Sequence, residues 1–168
     1  PPPPPSAGER PPRRASPRAA ATRAGGEGRA ASEGMVEEVR EALAAGADPN
    51  TKGGPFNYTC LMWATLGNQD RVVELLLSTQ GIQVNAKNEN GSSALHYACG
   101  NGSLASLALI VKSPGVQLNE RNNYGCTPIM AAIRNSQTQA VLQMAAVPDV
   151  CLDVKDEEGR SLEEIANM

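Results

Sequence analysis

Self-similarity at a step of 34 residues constrains this chain more than any single motif in it. Asn85, Asn119 and Asp153 stand 34 apart, as do Gly91, Gly125 and Gly159, and Ala64, Ala98, Ala132 and Ala166 extend a further column. The triplets Thr59-Cys60-Leu61, Ser93-Ala94-Leu95 and Thr127-Pro128-Ile129 keep the same spacing. A fixed period of this size marks a solenoid, in which each unit buries its apolar face only against its neighbours. Such chains usually work by presenting a surface, so catalytic chemistry starts from a weak position.

The clearest unit runs from Asn88 to Arg121. Asn90-Gly91 marks a tight turn, because Gly tolerates positive φ. Ser93 can cap a helix from Ala94 to about Asn101, in which small Ala98 and Cys99 allow close approach to the next helix. Gly102 breaks that helix, and a second is predicted from about Ser103 to Val111. Its Leu104, Leu107, Ala108 and Val111 recur at i, i+3, i+4 and i+7 and predict one apolar stripe. Pro114-Gly115 stops it, and Val116 and Leu118 lead an extended segment into the next turn. A buried Leu or Ile contributes about 1.5–3 kcal/mol. A few per unit cannot offset the entropy of ordering a whole repeat. Stacking is obligatory.

Three stretches carry a family resemblance: Thr59-Cys60-Leu61-Met62-Trp63-Ala64, Ser93-Ala94-Leu95-His96-Tyr97-Ala98 and Thr127-Pro128-Ile129-Met130-Ala131-Ala132. With Val72-Val73-Glu74-Leu75-Leu76-Leu77 and Gly46-Ala47-Asp48-Pro49-Asn50, they resemble the ankyrin repeat, whose hallmark is Thr-Pro-Leu-His-x-Ala at a period near 33. The resemblance covers the chain from about Arg29 onward. It implies an all-α solenoid of stacked helix-turn-helix units with β-hairpin-like fingers. The units are expected at 29–53, 54–87, 88–121 and 122–155, with a partial unit at 156–168, after a tail at 1–28. Upstream of Arg29 nothing apolar supplies the rest of a first helix. The last unit stops one helix in, at Met168, and that helix, Leu162-Glu163-Glu164-Ile165-Ala166, is more polar than its counterparts. A polar end unit suits a solenoid cap. That the chain is a piece of a longer protein is an equal expectation.

The two ends of the composition differ. Residues 1–34 hold eight of the thirteen prolines, six Arg against three Glu, and no Leu, Ile, Val, Phe, Tyr or Trp. Such a segment cannot bury enough apolar surface to order itself and reads as disordered. Pro1–Pro5 favours polyproline II, a form read by aromatic grooves. Arg13-Arg14-Ala15-Ser16-Pro17 resembles a kinase target, but both signals come cheaply in a Pro/Arg/Ala tract, and a plain linker or a spuriously translated upstream stretch is the preferred reading. Residues 35–168 carry nine Lys/Arg against fifteen Asp/Glu, a net −6 that poorly matches nucleic acid phosphate. No apolar run approaches a membrane span and no signal sequence opens the chain. Nucleic acid and membrane are therefore not expected as partners. The four cysteines lack CxxC spacing, and reduced thiols in a cytoplasmic or nuclear setting are the simplest reading. Asn57, Asn90 and Asn101 open Asn-x-Ser/Thr triplets that reflect Asn- and Gly-rich turns rather than glycosylation.

The resemblance also implies that partners dock on the concave side, formed by finger tips and the exposed face of each first helix. Carried over by register, the second unit offers Phe56, Tyr58 and Leu66, and the third Glu89, Asn90, Ser92 and Asn101. The fourth offers Asn123, Tyr124, Cys126 and Arg134, and the fifth Glu157, Glu158 and Arg160. Asn57 stands where other fingers have Gly, in a finger one residue longer than the next. Large aromatics anchor interfaces, which singles out Phe56, Tyr58 and Tyr124. Trp63 and Tyr97 occupy the place of a buried Leu and are expected in the core. His96, the lone histidine, is expected to hydrogen-bond within its turn–helix corner, and Asn85 and Asn119 across their finger turns. No Ser/His/Asp or Cys/His pairing, phosphate loop or metal-ligand cluster stands out, so no catalytic residue, metal, cofactor or small-molecule substrate is expected. The expected function is a non-catalytic scaffold or adaptor that binds one or more proteins. The alternative is a regulatory or targeting segment of a larger enzyme or channel.

Overall fold

The computed structural model describes residues 26, 28–153, 155, 158–161 and 164. The expected disorder of the tail, and the last helix apart from Glu164, lie outside the described residues. Helices come in pairs. A helical segment at 28–33 (α1) precedes α2 (Val36–Ala44), and α3 (Cys60–Leu66) precedes α4 (Asp70–Leu77). α5 (Ala94–Asn101) is followed by α6 (Leu104–Val111), and α7 (Pro128–Arg134) by α8 (Thr138–Ala145). First helices pack on first helices, α3 on α5 on α7, and second on second, α2 on α4 on α6 on α8. The result is two helical layers. Between α2 and α3 the short strands β1 (Lys52–Gly53) and β2 (Tyr58–Thr59) pair antiparallel, with Lys52 opposite Thr59.

One backbone device reverses the chain in every pair. Gly34, Asn68, Gly102 and Ser136 stand 34 apart and all take positive φ, at 75°, 53°, 68° and 56°. The residue after each one donates its N–H to the carbonyl five positions back: Met35 to Ala30 at 2.9 Å, Gln69 to Ala64 at 2.8 Å, Ser103 to Ala98 at 3.0 Å and Gln137 to Ala132 at 2.8 Å. This bond closes the last turn of a helix whose terminal carbonyls would otherwise lack partners.

The core repeats with the same step. Leu61, Leu95 and Ile129 are buried on the first helices, and Leu76, Ile110 and Met144 on the second. Ala64, Ala98 and Ala132 are fully buried where first helices approach. On α6 the buried face differs from the predicted stripe. Ser106, Leu107 and Ile110 point inward, while Leu104 is 39% exposed. α6 is apolar almost all round, so its own periodicity could not choose a face. The neighbouring units do choose it, because Ser106, Leu107 and Ile110 lie one period from Val72, Val73 and Leu76. The buried Ser106 hydroxyl is satisfied by donating to Asp70 Oδ1 at 2.7 Å.

Asparagine carboxamides lace the units together. Asn85 Nδ2 donates to the Gly115 carbonyl at 2.7 Å, and Asn85 Oδ1 accepts from Gln117 N at 2.8 Å. Asn50 bonds Gly81 and Gln83 in the same way, and Asn119 bonds Asp149 and Cys151. The expectation that Asn85 and Asn119 close their own finger turns is thereby corrected. Each carboxamide instead mimics a peptide group and pairs with the loop backbone of the next unit.

Two stability changes follow. Asn85→Ala removes both bonds and should lower the unfolding free energy by about 1–3 kcal/mol in a urea titration. Ser136 holds a left-handed conformation that Gly adopts without a Cβ penalty, so Ser136→Gly should add about 0.5–1 kcal/mol. Equal midpoints for wild type and Ser136→Gly would remove the assigned strain.

Candidate protein-docking face

The fingers are built by local asparagine chemistry. Asn88 Oδ1 accepts from Asn90 N at 3.1 Å and Ser92 N at 3.0 Å, while Asn88 N donates to the Ser92 carbonyl at 3.0 Å. One unit on, Asn122 repeats the pattern with Tyr124 N at 3.0 Å and Cys126 N at 3.1 Å. A short carboxamide that bonds backbone two and four residues ahead fixes the loop without a regular sheet. The tips are also tied to one another. Glu89 N donates to the Phe56 carbonyl at 3.2 Å, Asn123 N to the Asn90 carbonyl at 2.9 Å, and Asn123 Nδ2 to the Glu89 carbonyl at 2.8 Å.

The structure sorts the expected surface residues. Phe56 is 46% exposed and Tyr124 57% exposed, both on fingers. Glu89, Asn101, Asn123, Arg134 and Glu158 are exposed, and Leu66, Asn90 and Arg160 half-buried. Two assignments are corrected: Ser92 and Cys126 are buried, so neither side chain stands ready as an open contact. Ser92 Oγ accepts from Asn122 Nδ2 at 3.0 Å, and Arg134 Nη1 donates to Cys126 Sγ at 3.0 Å. The following unit covers the one, and the end of its own first helix covers the other. Glu157 lies outside the described residues. Arg160 Nη2 reaches Glu158 Oε2 at 2.8 Å.

The aromatics are arranged differently from expectation. Tyr58 is half-buried rather than a free finger anchor, and Trp63 and Tyr97 are half-buried rather than core. The three form one row. Tyr58 meets Trp63 at 4.9 Å between ring centroids and 81° between planes, and meets Tyr97 at 5.4 Å and 88°. These edge-to-face contacts place positive ring edges on negative ring faces, a favoured geometry. Phe56 leans on Tyr58 at 5.8 Å. The Tyr97 hydroxyl accepts from Asn88 Nδ2 at 2.9 Å. Burial is the main cause holding its pKa above the ordinary tyrosine value.

Beside this row lies a shallow hollow between first helices and fingers. Tyr58, Leu66, Asn90, Asn101 and Tyr124 line it, joined by Tyr97, Asn122, Ala131 and Asn135. Tyr97, Asn122 and Ala131 were missed in the sequence, although the column Trp63, Tyr97, Ala131 already placed two of them on one face. Asn135 Nδ2 donates to the Gly100 carbonyl at 2.8 Å and fixes the floor. The lining is amide and aromatic. Among the described residues no group of three His, Cys, Asp or Glu is placed to hold a metal ion.

The family model for ankyrin repeats (three copies) matches residues 28–122 and 80–156. The chain belongs to the ankyrin repeat family. Ankyrin repeats are generally protein–protein interaction modules. A comparison with curated proteins finds no match.

Within this ankyrin solenoid His96 holds a structural corner. It stands one period from Met62 and Met130, in a column buried at all three positions. Nδ1 accepts from Ser93 N at 3.2 Å and lies 3.0 Å from Ser93 Oγ, while Nε2 faces the Cys126 carbonyl at 3.0 Å. A proton on Nε2 and a lone pair on Nδ1 satisfy every one of these contacts, which is the neutral ring. Its pKa is lowered, chiefly by burial, against opposing backbone hydrogen bonds led by Cys126. Protonation would set a second N–H against Ser93 N–H at the helix start.

The folded pKa lies below the unfolded value near 6.5, so the unfolded chain binds more protons in this range. His96 therefore stabilises the fold fully above pH 6.5 and loses that contribution as pH falls below it. The loss should reach at most about 1.4 kcal/mol per pH unit. Urea midpoints measured from pH 7.5 downward, on the chain and on His96→Gln, should keep a constant separation above about pH 6.5 and converge below it. Curves that stay parallel over the whole range would reject the assignment.

Proposed function

We propose that this chain is a non-catalytic scaffold that takes a partner protein on the face formed by its fingers and first helices. The observation that carries the reading is the exposure of Phe56 and Tyr124 on fingers held by inter-finger hydrogen bonds. Large exposed rings on an ordered backbone suit recognition, because little conformational freedom is lost when they are covered. The neighbouring hollow offers amide groups from Asn90, Asn101 and Asn135 for polar contacts around them.

Other partner classes find less support. The net −6 of residues 35–168 repels nucleic acid phosphate. No helix among the described residues is long and apolar enough to cross a membrane. A cytoplasmic or nuclear setting accords with four cysteines that lack CxxC spacing.

The Phe56→Ala/Tyr124→Ala double variant tests the reading. Both rings are peripheral to the core, so the thermal midpoint should stay within a few degrees of wild type. Affinity for a partner captured with the intact chain should fall at least about tenfold, the equivalent of roughly 1.4 kcal/mol. Undiminished binding would move the docking site elsewhere on the solenoid.

A further inference from the structure

The hollow between the first helices and the fingers is uncharged. Amide, hydroxyl and apolar groups line its volume of about 360 Å³, and no Lys, Arg, Asp or Glu contributes to the wall. Its one imidazole, His96, uses both ring nitrogens for bonds within the fold. Residues 35–168 carry nine Lys/Arg and fifteen Asp/Glu, so their absence from this wall defines what it can hold. A charged group pressed into the hollow would lose water and meet no counter-ion. The matching occupant is neutral. It is also small, because this volume lies near the lower end of the roughly 300–1,000 Å³ of ligand clefts.

The carboxamides of the hollow differ in what they already bind. Asn135 Nδ2 donates to the Gly100 carbonyl at 2.8 Å, which leaves Oδ1 open. Asn90 Oδ1 accepts from the Tyr124 hydroxyl at 3.3 Å, which leaves Nδ2 open. Asn101 stands one period before Asn135, but among the described residues its side chain makes no hydrogen bond. Exposed at the last position of α5, it presents a donor and an acceptor side by side. Three asparagines of this fold show what such a group binds. Asn50, Asn85 and Asn119 each donate to one carbonyl and accept from the N–H two residues on, at Gly81 and Gln83, Gly115 and Gln117, and Asp149 and Cys151. An extended strand offers that pair along one edge, because residues two apart turn their peptide groups to the same side. The exposed Tyr124 ring and half-buried Leu66 supply apolar surface for its side chains.

We propose that the hollow takes a short, extended and uncharged segment of a partner polypeptide, with the Asn101 carboxamide paired to its backbone. The partner is then selected by the lack of charge in this segment and by its open strand edge. This rests on the reading of the face as a docking surface and gives that surface a chemistry.

A phage library of random linear peptides, selected against the full chain, supplies the probe, and the enriched sequences are then synthesised. Enriched peptides should lack Asp, Glu, Lys and Arg in the segment they share. They should shift the side-chain NH2 resonances of Asn90, Asn101 and Asn135 in 1H–15N spectra. Asn101→Asp and Asn101→Lys should each weaken a synthesised peptide at least about tenfold, since either charge would be covered without a counter-ion. Both variants should keep the thermal midpoint within a few degrees of wild type, because Asn101 is exposed. Methylating the backbone nitrogens of the peptide one at a time should find one position whose loss weakens binding by a similar factor. No enrichment, shifts confined to other parts of the solenoid, opposite effects of the two charges, or indifference to every N-methyl group overturns the proposal. Peptide binding lost on Phe56→Ala/Tyr124→Ala but unmoved by both Asn101 variants overturns it too, while leaving the docking face in place.

Discussion

No repeat of this chain has a core of its own, and the other features of the structure follow from that constraint. Leu61, Leu95 and Ile129 are buried because a first helix of the neighbouring unit lies over them. Each seam also brings backbone polar groups out of reach of water, and side chains of the adjacent unit satisfy them. Gln69 Nε2 reaches the Ser32 carbonyl at 3.2 Å, Ser103 Oγ the Thr65 carbonyl at 3.2 Å, and Asn135 Nδ2 the Gly100 carbonyl at 2.8 Å. Stability of this kind propagates from neighbour to neighbour rather than from one centre. A defect at one seam is felt on both sides of it.

The same lacing orders the surface. Asn88 and Asn122 shape each finger from within, while backbone and carboxamide bonds tie Phe56, Glu89, Asn90 and Asn123 across successive tips. Side chains carried on such fingers start from a fixed frame, which favours recognition because little conformational freedom is lost when they are covered. His96 is part of that frame. Its ring, the most obvious candidate for proton chemistry, is used at both nitrogens to join a helix start to the next finger.

Helix limits were legible because they depend on residues close in sequence. The span Ala94–Asn101 emerges as read, between a cap at Ser93 and a left-handed Gly102. The inward face of α6 was misread, since an apolar helix gives its own period nothing to select, whereas comparison with Val72, Val73 and Leu76 would have settled it. Ser92 and Cys126 occupied surface positions by register and proved buried, because Asn122 and Arg134 close over them. Exposure at a repeat position depends on what the neighbouring side chains happen to be.

The sequence by itself determined the period, the family, the helix limits and the positions of the fingers, because turn and cap chemistry act over a few residues and recur every 34. Only the tertiary structure decided what the aromatics do. Gly28 and Gly54 leave room for the Trp63 indole, whose nearest atoms would sit 2.9 and 3.0 Å from a Cβ at either position. That space lets Trp63, Tyr58 and Tyr97 form a half-open row rather than a buried layer. The tertiary structure also turned Asn85 and Asn119 from closers of their own turns into links between units, a role that Asn50 shares. Contacts across a seam join residues some thirty positions apart, and their geometry exists only once the units have stacked.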